Sequence, residues 1–238
     1  LIVPVILAVG ATLYNRSEKK RSREYEKNKQ IQIAFNNYID QMTALLLDKE
    51  IGNKTNEARL FVKTRTRVAL RSVDNRRKRS IVEFLYDAEL LFDQDNPLFQ
   101  DVDLSRIELF NIDLPGANLS HANLSNAILD LANLAGANLT GVNLSRASLT
   151  SAILDNAVLA DAHIENANLA HVYASRAVFS DSYMSGSKLK EGRFQNANFN
   201  GADLAFVDAR GANFKGSTLT SRMINDHDIR VNSGTVFN

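Results

Sequence analysis

An apolar residue recurs at every fifth position from Leu104 to Ile229, in one unbroken phase. The series opens Leu104, Leu109, Leu114, Leu119, Leu124 and Leu129, and only Leu, Ile, Phe, Met or Ala fills it to the end. Two residues earlier runs a second column of small side chains, among them Ala117, Ala122, Ala127, Ala132 and Ala137, with Val142 and Val172 as bulkier members and Ser182, Ser187 and Gly192 as smaller ones. A period of five fits neither the 3.6 of a helix nor the 2.0 of a plain strand. It predicts a chain that turns a corner after each segment and sends one large and one small side chain inward. Four such corners close a square, with four large residues meeting on the axis and residues twenty apart stacked on one another.

The repeating units GANLS (116–120), HANLS (121–125), GANLT (136–140) and GADLA (201–205) resemble the A-(D/N)-L-x-x units of pentapeptide-repeat proteins. The resemblance implies a right-handed quadrilateral β-helix, a mainly β solenoid, over 98–230, with a C-terminal tail at 231–238. Strands about 4.8 Å apart make roughly six and a half coils a rod about 31 Å long. Stacking by twenty places Phe179 on Phe199 and Phe194 on Phe214, with Ala174 and Ala209 in the coils on either side, so that volumes compensate in a close-packed interior. Arg222 and His227 fall in the small inward column, which predicts that regular coiling ends near residue 220.

Residues 1–97 follow a different pattern. Leu1 to Leu13 is apolar apart from Pro4, Gly10 and Thr12, and as a helix it reaches about 20 Å against the roughly 30 Å of a bilayer core. The chain begins without Met, so 1–14 is expected to be the C-terminal part of a transmembrane helix. The following segment, 15–30, is basic through Arg16, Lys19, Lys20, Arg21, Arg23, Lys27 and Lys29. It reads as a juxtamembrane stalk that leaves the bulk of a membrane-anchored chain in the cytoplasm. A three-helix adapter is expected over 31–97. Its first helix runs from Ile31 to about Lys49, with Ile31, Phe35, Tyr38, Met42 and Leu45 on one face. A break at Gly52, Asn53 and Thr55 precedes a second helix to about Val73. The third is capped by a Ser80/Glu83 box ahead of Ile81, Phe84 and Leu85 and ends at Pro97. An open β-helix end exposes strand edges and an apolar cross-section, and the third helix is placed to cover them. The apolar span, basic stalk and helices ahead of the repeats resemble membrane-associated bacterial members of the family.

Charge divides the chain. Residues 1–100 carry 18 Lys and Arg against 13 Asp and Glu, while the remainder carries 10 against 14. In the second helix Arg59, Lys63, Arg67 and Arg71 recur every four residues as one basic stripe, and Arg76, Arg77, Lys78 and Arg79 follow. These eight are the candidates for an anionic membrane surface, with an ordinary solvated face as the competing reading.

On a β-helix, function belongs to the outward columns. The residue before each centre is polar at Asn118, Asn123, Asn133, Asn138 and Asn143 but becomes Ile153, Val158, Tyr173 and Val178 further on. Stacking joins these four into an apolar patch over two faces, extended by Tyr183, and makes them candidates for a protein partner; strand propensity alone is the competing reading. Lys188, Lys190, Arg193, Arg210 and Lys215 form a basic group on the last coils, with Lys190 stacked on Arg210, suited to an anion or partner. Asp101, Asp103, Glu108 and Asp113 on the first coil, and Asp161 under Asp181, are acidic.

Chemistry for catalysis is not evident. The chain has no Cys, His121, His163, His171 and His227 lie in different columns or coils, and no phosphate-binding Gly loop or nucleophile elbow occurs. Neither cofactor nor metal is expected. The expected function is a non-catalytic, membrane-tethered scaffold whose rod presents interaction faces to an unknown protein partner. The alternative is a soluble regulator that binds a partner such as a topoisomerase by DNA-like charge mimicry; nucleic acid itself is not an expected partner. Met223, Ile224, Val231 and Phe237 at the C-terminal end can cap the rod or pair with a second copy, so a homodimer through that end stays open.

Overall fold

The computed structural model describes residues 2–47, 56–219 and 228–237, with side chains from 15–46 and from residue 59 onward. Three helices precede the repeats: α1 (Ile2–Leu47), α2 (Asn56–Ser72) and α3 (Asn75–Asp87). The repeats coil into a four-sided β-helix in which each face is a short parallel ladder. One ladder climbs from Asp113 through Asn133, Ile153, Tyr173 and Arg193 to Asn213, each residue paired with the one twenty positions on. Centre residues donate upward, as Leu104 N–H does to Asn123 O at 2.8 Å, and outward residues donate downward, as Asn123 N–H does to Val102 O at 2.9 Å.

The corner explains the period. Each centre carbonyl accepts from the N–H three residues later, as Leu144 O does from Ala147 at 2.9 Å. The third residue of that turn is left-handed, with φ between +53° and +77° along the coils, as a type II turn requires. Gly, Asn and Asp fill much of this column because they tolerate such backbone. The large and small inward columns are both buried. Phe179 stacks on Phe199 with ring centroids 5.0 Å apart, Phe194 on Phe214 at 5.2 Å, and edge-to-face contacts join the two stacks.

The twenty-residue spacing ends at the last coil. Asp208 pairs with Arg230 and Asn213 with Val236, and the Phe237 ring stacks on Phe214 at 5.6 Å. Residues 231–237 thus complete a coil instead of trailing as a separate tail. Arg222, His227, Met223 and Ile224 lie outside the described residues.

The N-terminal expectations need the most correction. The boundaries placed after 14 and after 30 are interruptions in composition only, since α1 runs continuously through both. Pro4 sits in the first turn, where backbone N–H groups have no intrahelical acceptor to lose. Asn15, Arg16, Glu18 and Lys19 follow the apolar stretch within the same helix. Among the described residues no helix is long and apolar enough to cross a membrane. That finding contradicts the expected membrane-anchored localisation and gives no support to a membrane-spanning helix. The break expected at Gly52, Asn53 and Thr55 lies outside the described residues.

α3 starts earlier than its sequence suggests. Asp74 is the N-cap, its carboxylate accepting from Arg77 N–H at 3.0 Å, while Glu83 pairs with Arg79 at 2.8 Å in place of closing a box with Ser80. The helix ends at Asp87, well before Pro97. Ile81, Val82 and Leu85 are fully buried under the first coil. Its open edge is satisfied by side chains of the helix: Asn75 donates to Arg106 O at 3.0 Å, Arg79 to Phe110 O at 2.6 Å and Tyr86 to Pro115 O at 3.0 Å. The strap after α3 finishes the cover, with Leu91 O accepting from Asn118 N–H at 2.6 Å. α1 and α2 meet through a buried hydrogen bond of 2.8 Å between the Tyr38 and Thr66 hydroxyls. Burial there pushes the Tyr38 phenol up to about 12, the Thr66 hydrogen bond opposing it only in part.

Candidate partner-binding surface

The apolar candidates gather on two adjoining faces of the middle coils. Ile153 pairs with Tyr173 on one ladder, Val158 with Val178 on the next, and His163 with Tyr183 beyond the following corner. Ile153, Tyr173 and Tyr183 are exposed, at 37%, 39% and 48%, and the two valines are half-buried. Their backbone groups are taken by the ladders, as in Tyr173 N–H to Ala152 O at 2.9 Å, so anything that docks here is read by side chains alone. The Arg193 guanidinium lies 4.8 Å above the Tyr173 ring. His163 stacks on Tyr183 at 4.7 Å and faces Glu165 at 3.2 Å.

The basic group on the last coils is held together by a carboxylate. Asp208 takes Arg210 through Nε at 2.9 Å and Nη2 at 2.8 Å, and Lys190 Nζ at 3.2 Å. The Arg210 hydrogen bonds hold the Asp208 carboxyl well below the usual carboxylate range, with Lys190 adding to the effect against a burial penalty. Lys188 is the ladder neighbour of Asp208, Arg193 is engaged with Tyr173, and Lys215 is exposed. The five cations are therefore not a single site.

The basic stripe of α2 turns toward the rod. Arg59 pairs with Asp93 at 2.9 Å, Lys63 donates to Gln100 Oε1 at 3.3 Å and Arg67 to Gln100 O at 3.2 Å. Arg71 and Arg76 remain exposed. Arg77 is bonded to Asp74 and Gln32, and Arg79 to Glu83 and Phe110. Hydrogen bonding from Ser105 holds the Asp103 carboxyl below its ordinary value against a burial penalty, with smaller contributions from the Lys78 and Arg71 charges. Asp103 of the first coil thus lies within electrostatic reach of the basic helices.

A second group of exposed apolar side chains was missed in the sequence. Phe110, Ile128 and Leu131 lie around one corner of the first two coils, and Phe206, 62% exposed, stands on a later corner. Leu131 and Phe206 occupy the left-handed corner column, where an apolar residue was the available signal. Among the described residues no group of His, Cys, Asp or Glu is arranged to hold a metal ion. Ser145, Glu165 and His163 do cluster, but Ser145 Oγ donates to Glu165 at 2.9 Å. With the carboxylate between hydroxyl and imidazole, the order needed for nucleophile activation is missing.

The family profile described as pentapeptide repeats matches in eight copies, over residues 99–134, 127–166, 143–181, 157–196 and 182–220. The chain belongs to the pentapeptide-repeat family. Among solved structures, this pentapeptide-repeat protein is similar to HetL, involved in heterocyst differentiation regulation in the cyanobacterium Nostoc sp. strain PCC 7120, with 21% identity over 66% of this chain and 78% of that one at a TM-score of 0.38. A pentapeptide-repeat protein of the Arabidopsis thaliana thylakoid lumen shares 22% identity over 53% of this chain and 79% of its own, at 0.23. The plasmid-mediated fluoroquinolone resistance protein QnrB1 shares 16% over 57% and 89%, also at 0.23. No curated protein matches the sequence.

Proposed function

We propose that this pentapeptide-repeat protein is a non-catalytic interaction rod, a regulator or scaffold that holds a protein partner against the patch around Tyr173 and Val178. The observation that carries this reading is the replacement of the polar outward column by Ile153, Val158, Tyr173 and Val178 on two adjoining faces. Apolar area exposed there gains free energy only when something covers it. Tyr183 with His163 on one side, and Arg193 over Tyr173 on another, give the patch a polar rim of the kind that fixes orientation. The backbone pairing is complete without these side chains, so Tyr173→Asn with Val178→Asn tests the reading directly. The double variant is expected to keep the thermal transition of the parent and to lose at least tenfold in affinity for a partner captured by the parent. Equal capture by both would remove the patch from consideration.

DNA-like charge mimicry toward a topoisomerase is the second reading, and the corner that carries Asp161 and Asp181 is the observation in its favour. Arg176 and Arg193 put positive charge on the same coils. Mimicry makes partner binding fall steeply with added salt, whereas apolar docking is held or strengthened. An anionic lipid surface would find chiefly Arg71 and Arg76, because Arg59, Lys63 and Arg67 serve the contact between α2 and the rod.

A further inference from the structure

Arg176 breaks the rule of the corner on which it stands. It lies in the turn closed by Ala177 N–H donating to Ala174 O at 3.2 Å, between the Tyr173 and Val178 ladders and so between the two halves of the apolar patch. Its backbone is left-handed, at φ 60°. The same corner of the other coils holds Gly116, Gly136, Asn156, Asn196 and Gly216, all at positive φ, the residue types that such backbone favours. An arginine there costs roughly 1 kcal/mol more. Nothing in the fold offsets that cost, because the side chain is exposed and, among the described residues, its guanidinium has neither a hydrogen bond nor an ion pair.

Arg193 is the second cation of the patch. It follows Tyr173 on the same ladder, and its guanidinium, 4.8 Å from the ring centroid, is held beside the apolar side chains by attraction to the ring face. It too is exposed and, among the described residues, has no carboxylate partner. The acidic side chains close by are engaged elsewhere: Asp155 accepts from Ser175 N–H at 2.7 Å, and Glu191 faces His171 at 3.4 Å. Asp161 and Asp181 stand one corner further on, past the valines. The patch therefore has two unpaired cations toward Tyr173 and an acidic corner beyond Val178.

We infer that the partner docks here through a short acidic and apolar peptide segment, whose bulky side chains cover Ile153, Tyr173, Val158 and Val178 and whose carboxylates meet Arg176 and Arg193; this rests on the patch being the partner surface. The segment is held by its side chains and not as an added strand, since the ladders already use the N–H groups of Tyr173 and Val178. A carboxylate forms charge-assisted bonds to a guanidinium, and apolar neighbours that exclude water strengthen them. The acidic corner beyond Val178 repels the same carboxylates, which fixes the direction in which the segment lies. A basic segment gains none of these bonds and sets like charge against both arginines.

Selection from a random dodecapeptide display library on the immobilised full chain tests the inference, with the Tyr173→Asn, Val178→Asn double variant and Arg176→Glu run in parallel. The parent is expected to enrich peptides in which Asp or Glu adjoins Leu, Ile or Phe. A synthetic copy of the most enriched peptide, followed by fluorescence anisotropy, is expected to bind Arg176→Glu about tenfold more weakly than the parent. Arg146→Glu is expected to bind it as the parent does, since Arg146 has the same left-handed backbone, at φ 60°, on the diagonally opposite corner. Enriched peptides without an acidic excess, or equal effects of the two Arg substitutions, would overturn the acidic segment and leave the patch standing. No enrichment on the parent, or peptides that bind the double variant as tightly as the parent, would overturn the patch and the segment together. Thermal unfolding of each variant without peptide separates lost binding from lost folding.

Discussion

Phe206 and Leu131 hold left-handed backbone at φ 59° and 60°, a conformation that costs a residue with a bulky side chain roughly 1–2 kcal/mol. Neither side chain recovers that cost by burial, since both are exposed. Phe206→Asn should therefore stabilise the rod by about 1 kcal/mol, read as an upward shift of the denaturant midpoint. The Ser187 hydroxyl is buried in the inner column with no partner, stacked between the apolar side chains of Ala167 and Val207. Ser187→Ala should add about 1 kcal/mol by removing an unsatisfied donor. Asp208 behaves oppositely, because its carboxylate is held by Arg210 and Lys190. Its folded pKa is depressed, so the stability it contributes is complete above the unfolded value of about 3.9 and drains away as pH falls below it. Asp208→Asn should destabilise the protein equally at pH 7 and pH 6, and the gap to the parent should shrink by pH 3 in matched denaturation curves.

At the scale of elements, the cap decides how the β-helix begins. Ser80 and Glu83 have the spacing of a capping box, yet Glu83 pairs with Arg79 one turn earlier and Asp74 caps the helix. Asp74→Ala should cost about 1 kcal/mol, while Ser80→Ala, losing only a 3.4 Å contact to Arg76 O within the helix, should cost a few tenths at most. The cap also supplies partners to the first coil, through Asn75, Arg79, Tyr86 and Leu91. A chain started at residue 97 would bare those edge groups and the apolar cross-section beneath Leu85. It should self-associate in light scattering at concentrations where the full chain does not. The basic stripe belongs to the same account: its spacing was legible, but the direction it faces depends on where α2 packs, and it faces the rod.

For the whole molecule, the repeat acts as a coordinate system that turns distance in sequence into neighbourhood in space. Ile153 and Tyr173 were placed side by side by counting, and the structure pairs them; the Phe179 and Phe199 rings follow the same rule. Placing them side by side says where a partner can sit, and the paired substitution at Tyr173 and Val178 is the measurement that says whether one does. The left-handed corner column was less legible, because Gly, Asn and Asp share it with His, Arg, Leu and Phe and only backbone geometry unites them. Stacking by twenty set the like charges of Lys190 and Arg210 side by side; Asp208, two residues from Arg210, joins them once all three side chains are placed. The sequence by itself determined the coil, its stacking and its aromatic core, since one strong period leaves a single way to bury two inward columns. Only the tertiary structure decided that α1 is continuous, that the stripe of α2 serves the cap, and that the last residues close a coil. Those outcomes rest on contacts between segments that share no period, where burial and charge pairing across long separations outweigh local pattern.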